Sequence, residues 1–224
     1  MYSESALLEA ITLSFNKYKE YGARSTAKLK PLHKYLAETQ KDIWGSEYEI
    51  NFLGDFTKEL TVEGKYYPKD VDIAISKNGS VKFCIGLKFV TSNYKQNANN
   101  YFENMMGETA NIQANIIPYA QFIILRYNTP YYKKNEVNDV SKYEIINKKD
   151  IQKYLKLMFD SKQAHRPEML CVKIVDINEE KRSVGSINLV KEFGVEFAEL
   201  MEDKLSPEIF FKDIINYKRF IESN

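Results

Sequence analysis

Hydrophobic positions along the chain fall first into helical periods. Residues 3–21 carry Leu7, Ala10, Ile11, Phe15 and Tyr18 on one face, with Ser3 placed to cap the start and Gly22 to end it. Residues 31–44 repeat the pattern: Pro31 stands in the first turn, Leu32, Tyr35, Leu36 and Ile43 face inward, and Gly45 follows. The period then shortens to two. "SEYEINFL" and "TKELTVEG" alternate and predict strands over about 47–53 and 57–63.

Two further strands follow, "DVDIAIS" and "SVKFCIGLKFV", joined by a loop containing Asn78-Gly79, a dipeptide that favours a tight hairpin. Alternation puts Val71, Ile73 and Ile75 on one face of the first and leaves Asp72 opposite; in the second, Lys82, Cys84, Gly86 and Lys88 share a face. Asp72, Gly86 and Lys88 are therefore expected to look into one space from paired strands. Residues 94–115 return to a helical period with Ala98, Phe102, Met105, Thr109, Ile112 and Ile116 as the buried stripe, and Pro118 ends it. "YAQFIILRY" is an apolar strand. Strand, strand, helix, strand predicts an α/β fold with a mixed central β-sheet flanked by helices. Beyond it, 148–160, 187–203 and 206–221 read as helices and "MLCVKIVDI" as a strand. A single domain over 1–224 is expected, with its core at about 45–130 and helical N- and C-terminal parts.

Composition narrows the class without naming it. A charged fraction of 28% and a hydrophobic fraction of 44% are those of an ordinary globular chain, and a net charge of +1 excludes a uniformly basic coat while leaving room for a basic cleft. Cys84 and Cys171 lie in apolar runs with no metal-ligand spacing, and no signal peptide or long apolar run stands out, so a reduced, cytoplasmic protein without a membrane span is expected.

The chemistry starts from Asp72 and Lys88. Phosphodiester hydrolysis needs an activated water and charge stabilisation on the phosphate. An acidic residue that holds Mg²⁺ and a lysine beside it are the right types for both tasks. The bland alternative is a cross-strand ion pair. The helix after Lys88 adds amides: Asn97, Asn104, Glu108, Asn111 and Asn115 line one flank of its apolar stripe, and Glu103 lies on the other. Asn is a poor helix former, while amides bond phosphates and base edges well.

"PKDVDIAI … CIGLKFV" followed by an amide-rich helix resembles the PD-(D/E)xK nucleases, and among them the type II restriction endonucleases. In their CCGG-recognising group the acid two before the lysine is replaced, and a glutamate on the next helix takes over its metal. That group also carries an RSDRxQN segment where this chain has "TSNYKQN" at 91–97. The resemblance covers about residues 65–127 and implies a restriction-endonuclease-like core. It implies Asp72 as metal ligand, Lys88 as catalytic lysine and Gly86 in the vacated acid position. Glu103 is then the migrated catalytic carboxylate and metal ligand, within about 4–6 Å of Asp72. Glu108 is second for that role, and Asp70 is the alternative to Asp72. Asn93, Tyr94, Lys95, Gln96, Asn97 and Asn104 are implied at the DNA. The group's arginine and aspartate positions fall on Thr91, Asn93 and Tyr94, so no CCGG target follows.

The expected activity is Mg²⁺-dependent, sequence-specific cleavage of double-stranded DNA by a homodimer, with the terminal helices as its contact. A repair or junction-resolving nuclease of the same fold, and a DNA-binding module that has lost catalysis, are the alternatives. "YYPK" and "PYYKKN" interleave tyrosine with lysine and suit DNA backbone. His33 and His165 stand far from any acid or cysteine motif and read as surface histidines.

Overall fold

The computed structural model describes residues 2–132 and 140–223. Its chain runs α1 (Glu4–Tyr21), a 3-10 turn (Thr26–Lys28), α2 (Lys30–Trp44), β1 (Glu49–Phe52), β2 (Leu60–Glu63), β3 (Pro68–Val71), β4 (Ile73–Lys77), β5 (Ser80–Val90), α3 (Tyr94–Gln113) and β6 (Tyr119–Arg126). It continues with β7 (Asn128–Tyr132), β8 (Val140–Ile145), α4 (Lys148–Phe159), β9 (Leu170–Asn178), β10 (Ser183–Ser186), α5 (Leu189–Phe193), α6 (Val195–Leu205) and α7 (Pro207–Glu222).

A six-stranded mixed sheet in the order β1-β4-β5-β6-β9-β10 forms the centre. The β4–β5 hairpin is antiparallel, with Asn78 and Gly79 both at positive φ in its turn, and β5, β6 and β9 are parallel. The crossover from β5 to β6 is α3, as the period change implied. All eight residues of β6 are buried. Its even-numbered side chains (Ala120, Phe122, Ile124) pack with α1, α2 and α7, while Ile123 and Leu125 pack with α3, α4 and α6. The apolar faces of both terminal helices are consumed inside the chain: Leu7, Ile11, Phe15, Phe210, Phe211 and Ile214 all belong to one core cluster.

Several expectations are corrected. "DVDIAIS" is not one strand. The chain breaks at Asp72, so β3 pairs with β2 in a separate small sheet and β4 pairs with β5. The break turns Val71 away from the face of Ile73 and Ile75, and it packs instead with Ala74, Cys84 and Tyr119. Ile116 is not in the α3 stripe; it lies past the helix end at φ 64° and is 92% exposed. The long helix expected at 187–203 is split by Gly194, at φ 76°, into α5 and α6. β7, β8 and β10 are additional strands.

Part of the amide row has a structural task. Asn111 is buried; its Oδ1 accepts the backbone N–H groups of Tyr66 (3.0 Å) and Tyr67 (3.4 Å), and its Nδ2 donates to the Tyr67 carbonyl (2.9 Å). Asn115 Nδ2 donates to the Glu63 carbonyl at 2.7 Å. These bonds clamp the tip of the β2–β3 hairpin to α3, and Gly64 abuts the Asn111 side chain so closely that a Cβ has no room. Three bonds at about 1 kcal/mol each lead us to expect Asn111→Ala to lower unfolding free energy by about 3 kcal/mol. Urea denaturation measures it, and a loss below about 1 kcal/mol would mean the clamp carries no weight.

Candidate active site

The break at Asp72 creates a fork in the sheet. β4 begins at Ile73, opposite Ile85, whereas β6 stays beside β5 up to Val90. Beyond Ile85 the β4 side of β5 has lost its strand partner. The Asp72 carboxylate fills the first gap: its Oδ2 accepts the Leu87 backbone N–H at 2.8 Å. This fixes Asp72 next to the residue that precedes Lys88.

A cleft of about 700 Å³ opens at this fork on the α3 side of the sheet. One α3 stripe (Tyr101, Asn104, Met105 and Glu108) forms a wall, and the loop before α2 brings Arg24 and Lys28 to the cleft. Asp72, Lys88, Asn104 and Glu108 thus line one cleft. The Lys88 ammonium lies over the Tyr101 ring, 5.3 Å from its centroid. Burial and the neighbouring Lys88 charge pull Lys28 below its usual pKa. Two crowded ammonium groups of this kind favour an anion between them. Burial also pulls Lys69 down, but the hydrogen bond and charge of Glu108, at 2.9 Å, outweigh it and leave its pKa raised.

Glu103 is not brought to this cleft. It is exposed, about 140° around α3 from Glu108 at 100° per residue, and its charge acts on Lys153 of α4. Counting residues from Lys88 found the helix but not its face. Asp70 also borders the cleft, but it is exposed and held by the Thr61 hydroxyl.

The 93–97 segment adjoins the cleft, whose lining on this side ends at Thr91 and Ser92. Tyr94 is fully buried against Tyr154 and Tyr101, so its ring is a core element and not a groove contact; it is one turn before Ala98 and starts the α3 stripe. Lys95 pairs with Asp150 at 3.4 Å, and Asn97 donates to the Asn93 carbonyl at 3.1 Å. Asn93 is half-buried at φ 52°, and Gln96 is exposed. Of the tyrosine-lysine stretches, Tyr66 and Tyr67 are exposed at the hairpin tip. Tyr131 is buried, and Lys133, Lys134 and Asn135 lie outside the described residues.

Gly86 leaves no vacancy for an acid. A Cβ there would collide with the Tyr119 hydroxyl and come within 2.8 Å of Gln121 Oε1. Gln121 is the register partner of Gly86 on β6, and both it and Tyr119 are buried. Burial raises the Tyr119 hydroxyl well above its usual pKa, helped by the charges of Asp72 and Glu108.

Comparison with protein-family models, curated proteins and solved structures finds no match.

Besides the cleft cations Arg24, Lys28 and Lys69, the sequence reading missed His33 and Glu59. His33, expected on the surface, is fully buried in the first turn of α2. With Ala37, Gln40 and Trp44 it forms a buried stripe at i, i+4, i+7 and i+11, a spacing visible in the sequence. Its Nε2 lies 3.2 Å from Asp72 Oδ1, and its Nδ1 lies 3.9 Å from Glu59 Oε1. Glu59 immediately precedes β2 and Asp72 immediately follows β3, just outside the Leu60↔Val71 pair, so the hairpin register brings them together. Burial raises the Glu59 pKa, and the Asp72 charge raises it further. Donor atoms of His33, Glu59 and Asp72 lie within 4.8 Å of one another and are able in kind to hold a metal ion.

Proposed function

We propose that this protein is a metal-dependent nuclease with a PD-(D/E)xK-type core, acting on double-stranded DNA as a type II restriction endonuclease and working as a homodimer. One observation carries the reading: the Asp72 carboxylate is bonded to the backbone beside Lys88, in a cleft that also holds Arg24 and Lys28. The mixed six-stranded sheet with helices on both faces supports it, and so does the placement of the fork at a strand end.

Asp72 would hold a divalent cation, Mg²⁺ or a substitute, which would supply charge neutralisation on the phosphate and a bound water of lowered pKa. Asp72, oriented by the Leu87 N–H, would be one of its ligands. Lys88 reaches the same space and holds the attacking water or a phosphate oxygen. Arg24 and Lys28 receive the adjacent phosphates, and the Lys69–Glu108 pair borders the cleft. Gln96 and Asn104 are the amides exposed beside it for contact with DNA.

The test is digestion of a long duplex of known sequence with Mg²⁺ or Mn²⁺, with EDTA as control. Discrete fragments with common ends support the restriction reading, cutting without sequence preference points to a repair nuclease, and binding without cutting leaves a DNA-binding module. Exposed Glu103 is outside the cleft lining, so Glu103→Gln is expected to keep the rate within about twofold. Glu108→Gln, which unpairs Lys69, is expected to lower it about tenfold. Loss of cleavage in Glu103→Gln alone would return the migrated role to Glu103.

A further inference from the structure

We infer that His33, Glu59 and Asp72 form a binding site for a first-row transition-metal ion, with Mn²⁺ preferred over Mg²⁺. The inference sharpens the metal of the nuclease reading and rests on that reading only for the use made of the ion.

The starting point is His33. It is fully buried, and neither ring nitrogen has a hydrogen-bond partner among the described residues. Buried polar side chains are nearly always satisfied, so an imidazole left in this state between two carboxylates calls for a cause. An imidazolium bridging two carboxylates would point its N–H bonds at their oxygens. Here Nε2 is 3.2 Å from Asp72 Oδ1, within reach, yet the direction is not that of a hydrogen bond. Two neighbouring donors on one octahedral ion at about 2.1 Å each stand ~3.0 Å apart and do not point at each other. The His33–Asp72 arrangement has that form.

The remaining parts fit. Asp72 Oδ2 is held by the Leu87 N–H, which turns Oδ1 toward His33. Glu59 closes the group from the same open end of the β2–β3 hairpin as Asp72, and all three donors lie within 4.8 Å of one another. Glu59 thus brings the second acid that Gly86 does not provide. A site of one imidazole and two carboxylates suits a transition ion better than Mg²⁺, which prefers an all-oxygen shell rich in water.

Isothermal titration with Mn²⁺ and pulsed EPR of the bound ion test the site without any reference to cleavage. Wild-type protein is expected to bind Mn²⁺ saturably, to show ¹⁴N coupling from a bound imidazole, and to need more than about tenfold excess Mg²⁺ for displacement. His33→Gln is expected to abolish the ¹⁴N coupling and weaken binding about tenfold or more, and Glu59→Gln to weaken it similarly. If the buried His33 variant fails to fold by circular dichroism, the half-exposed Glu59→Gln and the wild-type ¹⁴N signal decide. No saturable Mn²⁺ binding, no ¹⁴N coupling in the wild type, or unchanged affinity in Glu59→Gln overturns the inference. Binding with all these signatures but no DNA cleavage would leave the metal site standing and remove the nuclease reading.

Discussion

Asp72→Asn is expected to reduce duplex cleavage by at least about 10²–10³-fold, the scale of losing one charge-stabilising group in a preorganised site. The substitution is isosteric, and an amide oxygen can still accept the Leu87 N–H that Asp72 Oδ2 now takes at 2.8 Å. The fork should therefore keep its shape and the melting temperature should change little. Lys88→Ala should lose activity on a similar scale for a different reason. Its ammonium is exposed to the cleft and stacked on Tyr101, so truncation removes a charge without opening the core. Single-turnover cleavage with saturating metal measures both. If both variants cut at near wild-type rate, the chemistry lies elsewhere on the molecule.

Restoring an acid at position 86 is expected to harm the protein. Gly86→Ala places a methyl group against the Tyr119 hydroxyl and Gln121 Oε1, two buried groups of the neighbouring strand, and should cost about 1–3 kcal/mol. Gly86→Glu adds a carboxylate to the same closed space and should exceed that cost, a large part of the roughly 5–15 kcal/mol that stabilises a typical domain. Tyr119→Phe removes the closest atom, so the Gly86→Ala/Tyr119→Phe pair should be less destabilised than the sum of the two single changes. Urea denaturation of the four proteins reads the coupling; strict additivity would mean that the contact is not what excludes a side chain at 86.

The elements that were legible in the sequence are those fixed by local chemistry. Ser3 and Gly22 bound α1, Asn78-Gly79 turns the β4–β5 hairpin, and the period change from β5 to α3 marks the crossover. Asp72 and Lys88 could be paired because their strands are adjacent in the chain. The break at Asp72 was hidden, since "DVDIAIS" alternates without interruption and only the separate pairing of β3 with β2 divides it. The choice between Glu103 and Glu108 depends on how α3 is rotated over the sheet, which is set by burial of Tyr94, Ala98 and Met105 and not by distance from Lys88. Glu59 and His33 depend on contacts made across long stretches of chain. The periodicity of α2 held a signal for His33; for Glu59 the signal lay in the register of a hairpin whose partner strand had been joined to another.

Glu59 and Asp72 flank the two ends of one hairpin, and the hairpin grows only at its far tip. Residues can be added or removed there in pairs, extending or shortening β2 and β3 together, without shifting the Leu60↔Val71 pair that sets the two acids side by side. The number of residues between the two acids is therefore unconstrained by their contact. A chain with a much longer or shorter hairpin can carry the same group of side chains, and a pattern written with a fixed interval between the acids would pass it by.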